Sequence, residues 1–465
     1  MKSTEKRTIR DCLNFVQGSV RNPSTAGSVE KGQKHPSFVP YGTIQTTNSN
    51  NSTDMFSLRE IFKQFLSRIL KNGWLFLILL CVSYSCENEP FQYISKEVLV
   101  VNLNDPYRML PGYKFTASTK TLKDIYIKYG VNQSDSFIKY AVSYHQVVYN
   151  TTYKGKQIST SGALIIPICP DQSPAIVSYQ HGTMFANQDA PSKATSAESF
   201  PLFNEYIVFL PDYIGYDASA VLHPYYIYEP SVMPVIDMLK AGKKYLDDNR
   251  IPYNKDKLFL TGHSEGGYVT VAVQKELETH PVPGLKITAS APSAGPYDVG
   301  ATGKLIFQNT TYPSPAYLIL ILSAFNDFYW QRPITDFFQQ PYSGNILTLL
   351  NGSISEDAIN KQLTTNLPTL MSPKFLSDFR ATGETDFKEM LKLNSVNNWA
   401  PQTPTRLYHG TVDDIVPFEI SQKTWESFMS NGADPAKVKL VPLTGVGHEY
   451  LPAYLLIHEW FNTFK

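Results

Sequence analysis

Residues 257–278, "KLFLTGHSEGGYVTVAVQKELE", set an apolar strand pattern directly against a helical one, with a serine among three glycines at the joint. Ahead of the joint the apolar residues run together. Behind it Tyr268, Val269, Val271, Ala272, Val273 and Leu277 recur among polar residues, as on a helix. A strand that must become a helix within a few residues holds its apical residue in a strained conformation, and glycines on either side clear the space that the sharp turn needs. Gly262 and Gly266 stand in those places around Ser264, with Gly267 beyond. The pattern predicts a strand, a tight turn and a helix, with Ser264 at the apex.

The same rhythm recurs along the chain. "VSYHQVVYNTTY" and "KQISTSGALIIPI" predict two strands joined by a turn at Lys154-Gly155. "PAIVSYQHGT", "EYIVFLPDYIGYDAS" and "LKITASAPSAGPYDV" each predict one more, and "SVMPVIDMLKAGKKYLDD" has apolar residues at helical spacing. Near the end, "PTRLYHGTVDDIVPF" and "KVKLVPLTGVGHEY" predict two strands around the helical "EISQKTWESFMSNG", and "AYLLIHEWFNTF" closes the chain as a helix. Strands alternating with helices predict an α/β fold: a mostly parallel central sheet flanked by helices, with an antiparallel start.

Roughly ninety residues, 303–394, break the rhythm, because a connection between sheet strands is normally far shorter. They contain helical patterns such as "SPAYLILILSAFNDFYW" and "SPKFLSDFRA" but no clear strand, which predicts an inserted helical cap. Residues 86–302 and 395–465 then form the core. Tyr317, Leu318, Ile321, Phe325, Phe328, Tyr329 and Trp330 supply apolar surface for a pocket, and some of them must hold the cap to the core.

A serine hydroxyl becomes a nucleophile at neutral pH only when a base takes its proton, and a histidine in that role needs a carboxylate to fix its tautomer. Both partners stand downstream, each just beyond a predicted strand. "LYHGTVDDIVPF" carries Asp413 and Asp414, either of which can sit at the tip of its turn, and "LTGVGHEY" carries His448. Asp212 is expected to brace its own loop through local hydrogen bonds, His263 to pack beside Ser264, and His409 to shape the acidic turn.

In this order of Ser, Asp and His the chain resembles the α/β-hydrolase superfamily. The "HG-x-x-D-x-x-VP" form of the acidic loop, similar to that of many esterases and lipases, picks Asp413 over Asp414. The resemblance also implies an oxyanion hole made by the N–H of Glu265, the residue after the serine, and by an N–H from the loop after "AIVSYQHGT". Thr183 is the expected second donor and Met184 the alternative. Among capped hydrolases the chain resembles the secretory-lipase family, through "VVYNTTYKGKQISTSGALIIP", "YQHGT", "FLPDYIGYD", "GHSEGG", the insertion after "SAGPYDV", and "NWAPQTPTRLYHGTVDDIVP". Where that family commonly has Tyr and Gln flanking the serine, this chain has His263 and Glu265.

The 41 basic and 41 acidic side chains balance, so nothing in the charge calls for nucleic acid. Residues 1–54 are polar and without apolar period, which predicts a disordered extension or one that precedes the true start at Met55. In residues 55–85, Arg59, Lys63, Arg68 and Lys71 precede a short apolar run from Trp74 to Tyr84, the layout of an export signal. Ser85, Cys86 and the acidic residues that follow resemble a lipoprotein signal of Gram-negative bacteria, which implies a lipid on Cys86 and an outer-membrane or cell-surface location. A plainly cleaved signal, giving a secreted or periplasmic protein, and an uncleaved anchor are the alternatives. With Cys86 acylated and Cys12 and Cys81 removed, Cys169 stands alone and no intramolecular disulfide can form. No C-x-x-C or metal-ligand spacing occurs, and the chemistry requires neither metal nor organic cofactor.

The expected activity is hydrolysis of a small-molecule or lipid carboxylic ester through an acyl-enzyme, with Ser264, His448 and Asp413 as the working side chains. Two rival readings are a peptidase of the prolyl-oligopeptidase-like branch and a surface binding protein that keeps the fold without turnover. Acyl length, alcohol and oligomeric state are not encoded legibly.

Overall fold

A computed structural model describes residues 92–96, 110–128, 138–168, 170, 172–193 and 203–465. The extension, the signal-like segment and Cys86 lie outside the described residues.

Ten strands form one sheet in the order β1-β2-β3-β4-β6-β5-β7-β8-β9-β10. The first four, β1 (Gln92–Lys96), β2 (Leu110–Ala117), β3 (Val142–Tyr153) and β4 (Lys156–Pro167), run antiparallel to one another, and β4 pairs antiparallel with β6 (Ile207–Pro211). From there β5 (Ile176–Gln180), β7 (Leu258–His263), β8 (Ala289–Ser293), β9 (Thr405–Gly410) and β10 (Val438–Leu443) are parallel. The β3–β4 turn has positive φ at Lys154 (49°) and Gly155 (70°), the pair of left-handed residues that a two-residue hairpin requires. This mostly parallel sheet flanked by helices is the α/β-hydrolase fold.

Every residue of β5, β6, β7 and β8 is buried, as expected of strands covered on both faces. Their side chains alternate between two apolar clusters. Ile176, Leu258 and Leu260 join one, with α2 (Tyr228–Asp248) and α3 (Glu265–Thr279); Val177, Tyr179 and Phe259 join the other, with α1 (Thr119–Lys128) and the C-terminal helix. That last helix, Leu451–Asn462, seats Tyr454, Ile457 and Phe461 against the sheet, each burial contributing about 1.5–3 kcal/mol.

Between β8 and β9 the chain is helical. The helices α4 (Val299–Gln308), α5 (Pro315–Phe325), α6 (Pro373–Arg380) and α7 (Thr385–Leu393) occupy this interval. Shorter helices fill it at Ile346–Leu349, Glu356–Asn360 and Leu367–Leu370, and two isolated bridges, Thr311–Asn366 and Phe338–Met371, pin it together. Its helices begin at Val299, ahead of the expected start at 303. The hairpin tip reaches this insertion: Lys154 Nζ lies 3.0 Å from Asp327 Oδ2. After β9, α8 (Phe418–Ser430) leads to β10, and the helix at Leu451–Asn462 is α9. Among the described residues no helix is long and apolar enough to cross a membrane.

Candidate active site

The carboxyl ends of β5, β7, β9 and β10 point the same way, and the loops that leave them meet at one place, where open parallel sheets commonly bind ligands. Ser264 stands between β7 and α3 with φ 58° and ψ −120°, outside the helical and extended regions. Its N–H donates to Ser293 O at 2.9 Å, which ties the strained turn to the neighbouring strand. The glycines answer a packing demand. A Cβ on Gly262 would run into the carbonyls of Gly266 and Gln180, and one on Gly266 into that of Gln180.

His448 enters from the loop after β10. Its Nε2 lies 2.9 Å from Ser264 Oγ, and its Nδ1 lies 2.6 Å from Asp413 Oδ2. The Asp413 side chain is fully buried. Its Oδ1 accepts from the N–H groups of Ile415 (3.0 Å) and Val416 (2.9 Å), and His409 Nε2 stands 3.2 Å from Oδ2. Burial by itself would raise the Asp413 pKa; hydrogen bonds from His409 and His448 outweigh it and hold the carboxyl well below the usual carboxylate range. Asp414 is exposed.

His263 is neutral. Burial, with His448 alongside, pushes its pKa down to about 3, and its Nε2 donates to the His448 carbonyl at 3.2 Å. It therefore fixes the backbone of the histidine loop without placing a cation there. His409 donates from Nε2 to Val416 O (2.9 Å), while its Nδ1 lies 2.6 Å from Ser421 Oγ, so it shapes the acidic turn as expected. Asp212 differs from expectation. Its partners are remote in sequence: Ser161 Oγ at 2.6 Å and Ser192 N at 2.8 Å, and burial pushes its pKa up to about 6. It joins three segments behind the site where bracing of its own turn alone was expected.

The Glu265 N–H opens α3, where no preceding helical carbonyl can receive it. Among the described residues neither it nor the Thr183 N–H meets a protein acceptor. The loop carrying Thr183 runs past Ser264: a Cβ on Gly182 would touch Ser264 Cβ at 3.9 Å. Tyrosines hold that loop from outside. Tyr213 Oη donates to His181 O (3.1 Å), Tyr216 Oη to Met184 O (2.6 Å), and Tyr225 Oη lies 2.7 Å from Thr183 Oγ1.

An apolar cavity has Ser264 in its lining. Ile306 and Phe307 of α4, Leu318 and Ile321 of α5, and Phe387 and Leu391 of α7 form much of its wall. Of the seven insertion residues expected to supply this surface, Tyr317, Leu318 and Ile321 line the cavity. The other four look elsewhere. Phe325 packs on Tyr329 and Phe387, and Phe328 packs on Tyr153 and Tyr329, in the core-side contact that the hairpin tip makes. Trp330 packs at a tilt on Tyr329 and Phe387, and Tyr329 Oη accepts from Asn394 Nδ2. Tyr225 and Tyr226 also line the cavity, and sequence reasoning missed both. Their one advance signal is the tyrosine-rich stretch "HPYYIYEP" in a segment that otherwise reads as loop.

A secretory lipase family profile matches residues 195–449, more than half of the chain. No curated protein matches at the level of sequence. Among solved structures, a hydrolase from Legionella pneumophila is similar at 25% identity, covering 75% of this chain and 95% of its own, with a TM-score of 0.69. The rice cell wall degrading esterase LipA from Xanthomonas oryzae is similar at 23% identity, with coverage of 77% and 97% and a TM-score of 0.63. Candida antarctica lipase A in its closed state is similar at 16% identity, with coverage of 77% and 83% and a TM-score of 0.57. The last two likenesses speak for the fold. Profile and fold together assign the chain, and it belongs to the secretory lipase family.

Proposed function

We propose that this ester hydrolase works through an acyl-enzyme on Ser264. The observation that carries the reading is the hydrogen-bonded line from Ser264 Oγ through His448 to the ionised Asp413, with the serine lining an apolar cavity. His448 Nε2 takes the Ser264 proton as Oγ attacks the ester carbonyl carbon. Asp413 holds the Nδ1 proton and stabilises the imidazolium that forms. The N–H groups of Glu265 and Thr183 receive the negative charge that develops on the carbonyl oxygen, a donor of this kind being worth about 10²–10³ in rate. His448 then gives its proton to the leaving alcohol. Water, activated by the same nitrogen, releases the acid and restores the serine.

The test is labelling with a fluorophosphonate and turnover of p-nitrophenyl esters beside aminoacyl anilides. Labelling that depends on Ser264, with ester turnover far above anilide turnover, supports the reading. Dominant anilide cleavage would favour the peptidase alternative, and no labelling would favour a binding protein.

The helical insertion acts as a cap whose wall seats the acyl chain. Each methylene removed from water there contributes about 0.8 kcal/mol, close to fourfold in kcat/KM. Filling the cavity with Leu318→Phe or Ile321→Phe is therefore expected to shift preference toward shorter acyl chains, with long-chain esters losing at least tenfold relative to acetyl. Equal losses across an ester series of increasing length would make the cap a stability element and not an acyl pocket.

Membership of a secretory family supports export. The finer proposal is that residues 55–85 are removed and Cys86 is acylated, which tethers the enzyme to a membrane by a diacylglyceryl group and an amide-linked chain, more than the two signals stable anchoring needs. Mass spectrometry of the N-terminal peptide is expected to find the lipid on Cys86. An unmodified N-terminus elsewhere would rule out the anchor and leave the catalytic reading untouched.

A further inference from the structure

Glu265 contributes more than its N–H. Its side chain is 1% exposed and turns toward His223, which is 7% exposed, and His223 Nε2 lies 2.6 Å from Glu265 Oε1. The other ring nitrogen, Nδ1, lies 2.6 Å from the carbonyl of Ile214, which can only accept, so Nδ1 carries a proton. A second proton must lie between Nε2 and Oε1, because a bare nitrogen facing a carboxylate at that distance would be repelled. Wherever that proton sits, the pair is neutral overall. Glu265 Oε2 has no hydrogen-bond partner among the described residues, so no other donor shares the load.

We infer that His223 is a positioning residue for the reaction: it keeps the Glu265 carboxyl neutralised beside the oxyanion hole, a role that rests on the reading of Ser264 as nucleophile. The helix residue whose N–H is offered to the oxyanion carries the acidic side chain itself. An uncompensated carboxylate there would oppose the negative charge of the transition state inside a site that water does not screen. The other groups that face this carboxyl are His181, Tyr216, Tyr225, Tyr226 and Tyr268. Burial pushes His181 down and the four tyrosines well up, so these stay uncharged at neutral pH. The compensating proton falls to His223. A purely structural role is the competing account, since the segment bearing His223 also bears Tyr225, which holds Thr183.

A double-mutant cycle separates the two. His223→Asn keeps an amide donor near the position of Nδ1 and removes the partner of Glu265. At pH 8 kcat is expected to fall on the order of 50-fold, the cost of one unit charge near the oxyanion at an effective dielectric of about 20, with KM changed by less than about threefold. In a Glu265→Gln background the same His223→Asn change is expected to cost no more than about threefold. An equal cost in both backgrounds, or no cost in either, would overturn the inference. Should His223→Asn fail to fold, His223→Gln, whose amide fills the ring's space, is compared in the same two backgrounds with the same outcomes. Fluorophosphonate labelling of the wild type at Ser264 keeps the two claims apart. Its absence removes the nucleophile and this role together, whereas a labelled wild type with equal costs removes this role alone.

Discussion

Ser264→Ala and His448→Ala are each expected to lower kcat for ester hydrolysis by about 10⁶-fold and to leave the fold intact, because residues that act as one unit fail as one unit. Among the described residues the serine hydroxyl's polar partner is His448 Nε2 at 2.9 Å, and its removal opens no cavity in the core. The turn survives on backbone terms, since Ser264 N still reaches Ser293 O and α3 still begins at residue 265. His448 is partly exposed, so its loss disturbs little packing, while the carbonyl that accepts from His263 remains in the alanine variant. Residual catalysis of about 10³–10⁴ over water is expected from the N–H groups that remain. Burst and steady-state kinetics with p-nitrophenyl esters, beside thermal unfolding, read both quantities. A variant of either kind that kept more than a few per cent of wild-type kcat while folded would refute the acyl-enzyme on Ser264.

The residues of this line were legible because each stands in a short local pattern at the end of a strand. The glycine-flanked serine, the acidic turn and the late histidine can all be read without knowing which strands pair. What surrounds them was not. The neighbours β6 and β5 exchange places relative to chain order, so β4 meets β6 first, and no local pattern records which neighbour a buried strand will take. The antiparallel edge also runs two strands further, through β2 and β1. His223, Tyr225 and Tyr226 come from a loop with no hydrophobic period, and only the assembled fold turns them toward Glu265 and the cavity.

The helical stretch between β8 and β9 illustrates a second reason. "SPAYLILILSAF" is apolar on every side, so its period cannot say which face meets the cavity and which meets the core. The structure divides it. Leu318 and Ile321 line the cavity, Phe325 faces Phe387, and a five-residue π-helical turn, Asn326–Trp330, carries the following aromatics off toward the hairpin. Another part of the wall comes from α4 and α7, whose Ile306, Phe307, Phe387 and Leu391 carry no distinguishing signal in a helix that is merely amphipathic. Charge compensation was hidden for the same reason. Nothing local in the sequence names a partner for the Glu265 side chain until the fold brings His223 to it.

Asp413→Asn is expected to lower kcat by about 10⁴-fold, and Asp414→Asn to change it by less than about twofold. The hydrogen bonds around Asp413 decide the first outcome. Oδ1 accepts from two backbone N–H groups, of Ile415 and Val416, so an asparagine must put its carbonyl oxygen there. Its NH2 then replaces Oδ2 and faces His448 Nδ1. Two donors cannot share a bond, so His448 turns its Nδ1 lone pair to the amide and moves its proton to Nε2. That nitrogen now meets Ser264 Oγ as a donor and can no longer act as its base. The amide also faces His409 Nε2, which keeps its own proton for the Val416 carbonyl, so the substitution adds a second clash of donors in a fully buried place. The sign with pH follows from the wild-type arrangement. The Asp413 pKa is held below its ordinary value, so the carboxylate stays charged through neutrality, and its hold on the His448 Nδ1 proton is lost only as pH falls through that depressed value. Asp414 is exposed and takes no part in the line, so its charge matters only through water and salt. Kinetics of the two variants on one ester, at matched unfolding temperatures, give the comparison. A dead Asp414→Asn beside an active Asp413→Asn would reverse the assignment of the acid.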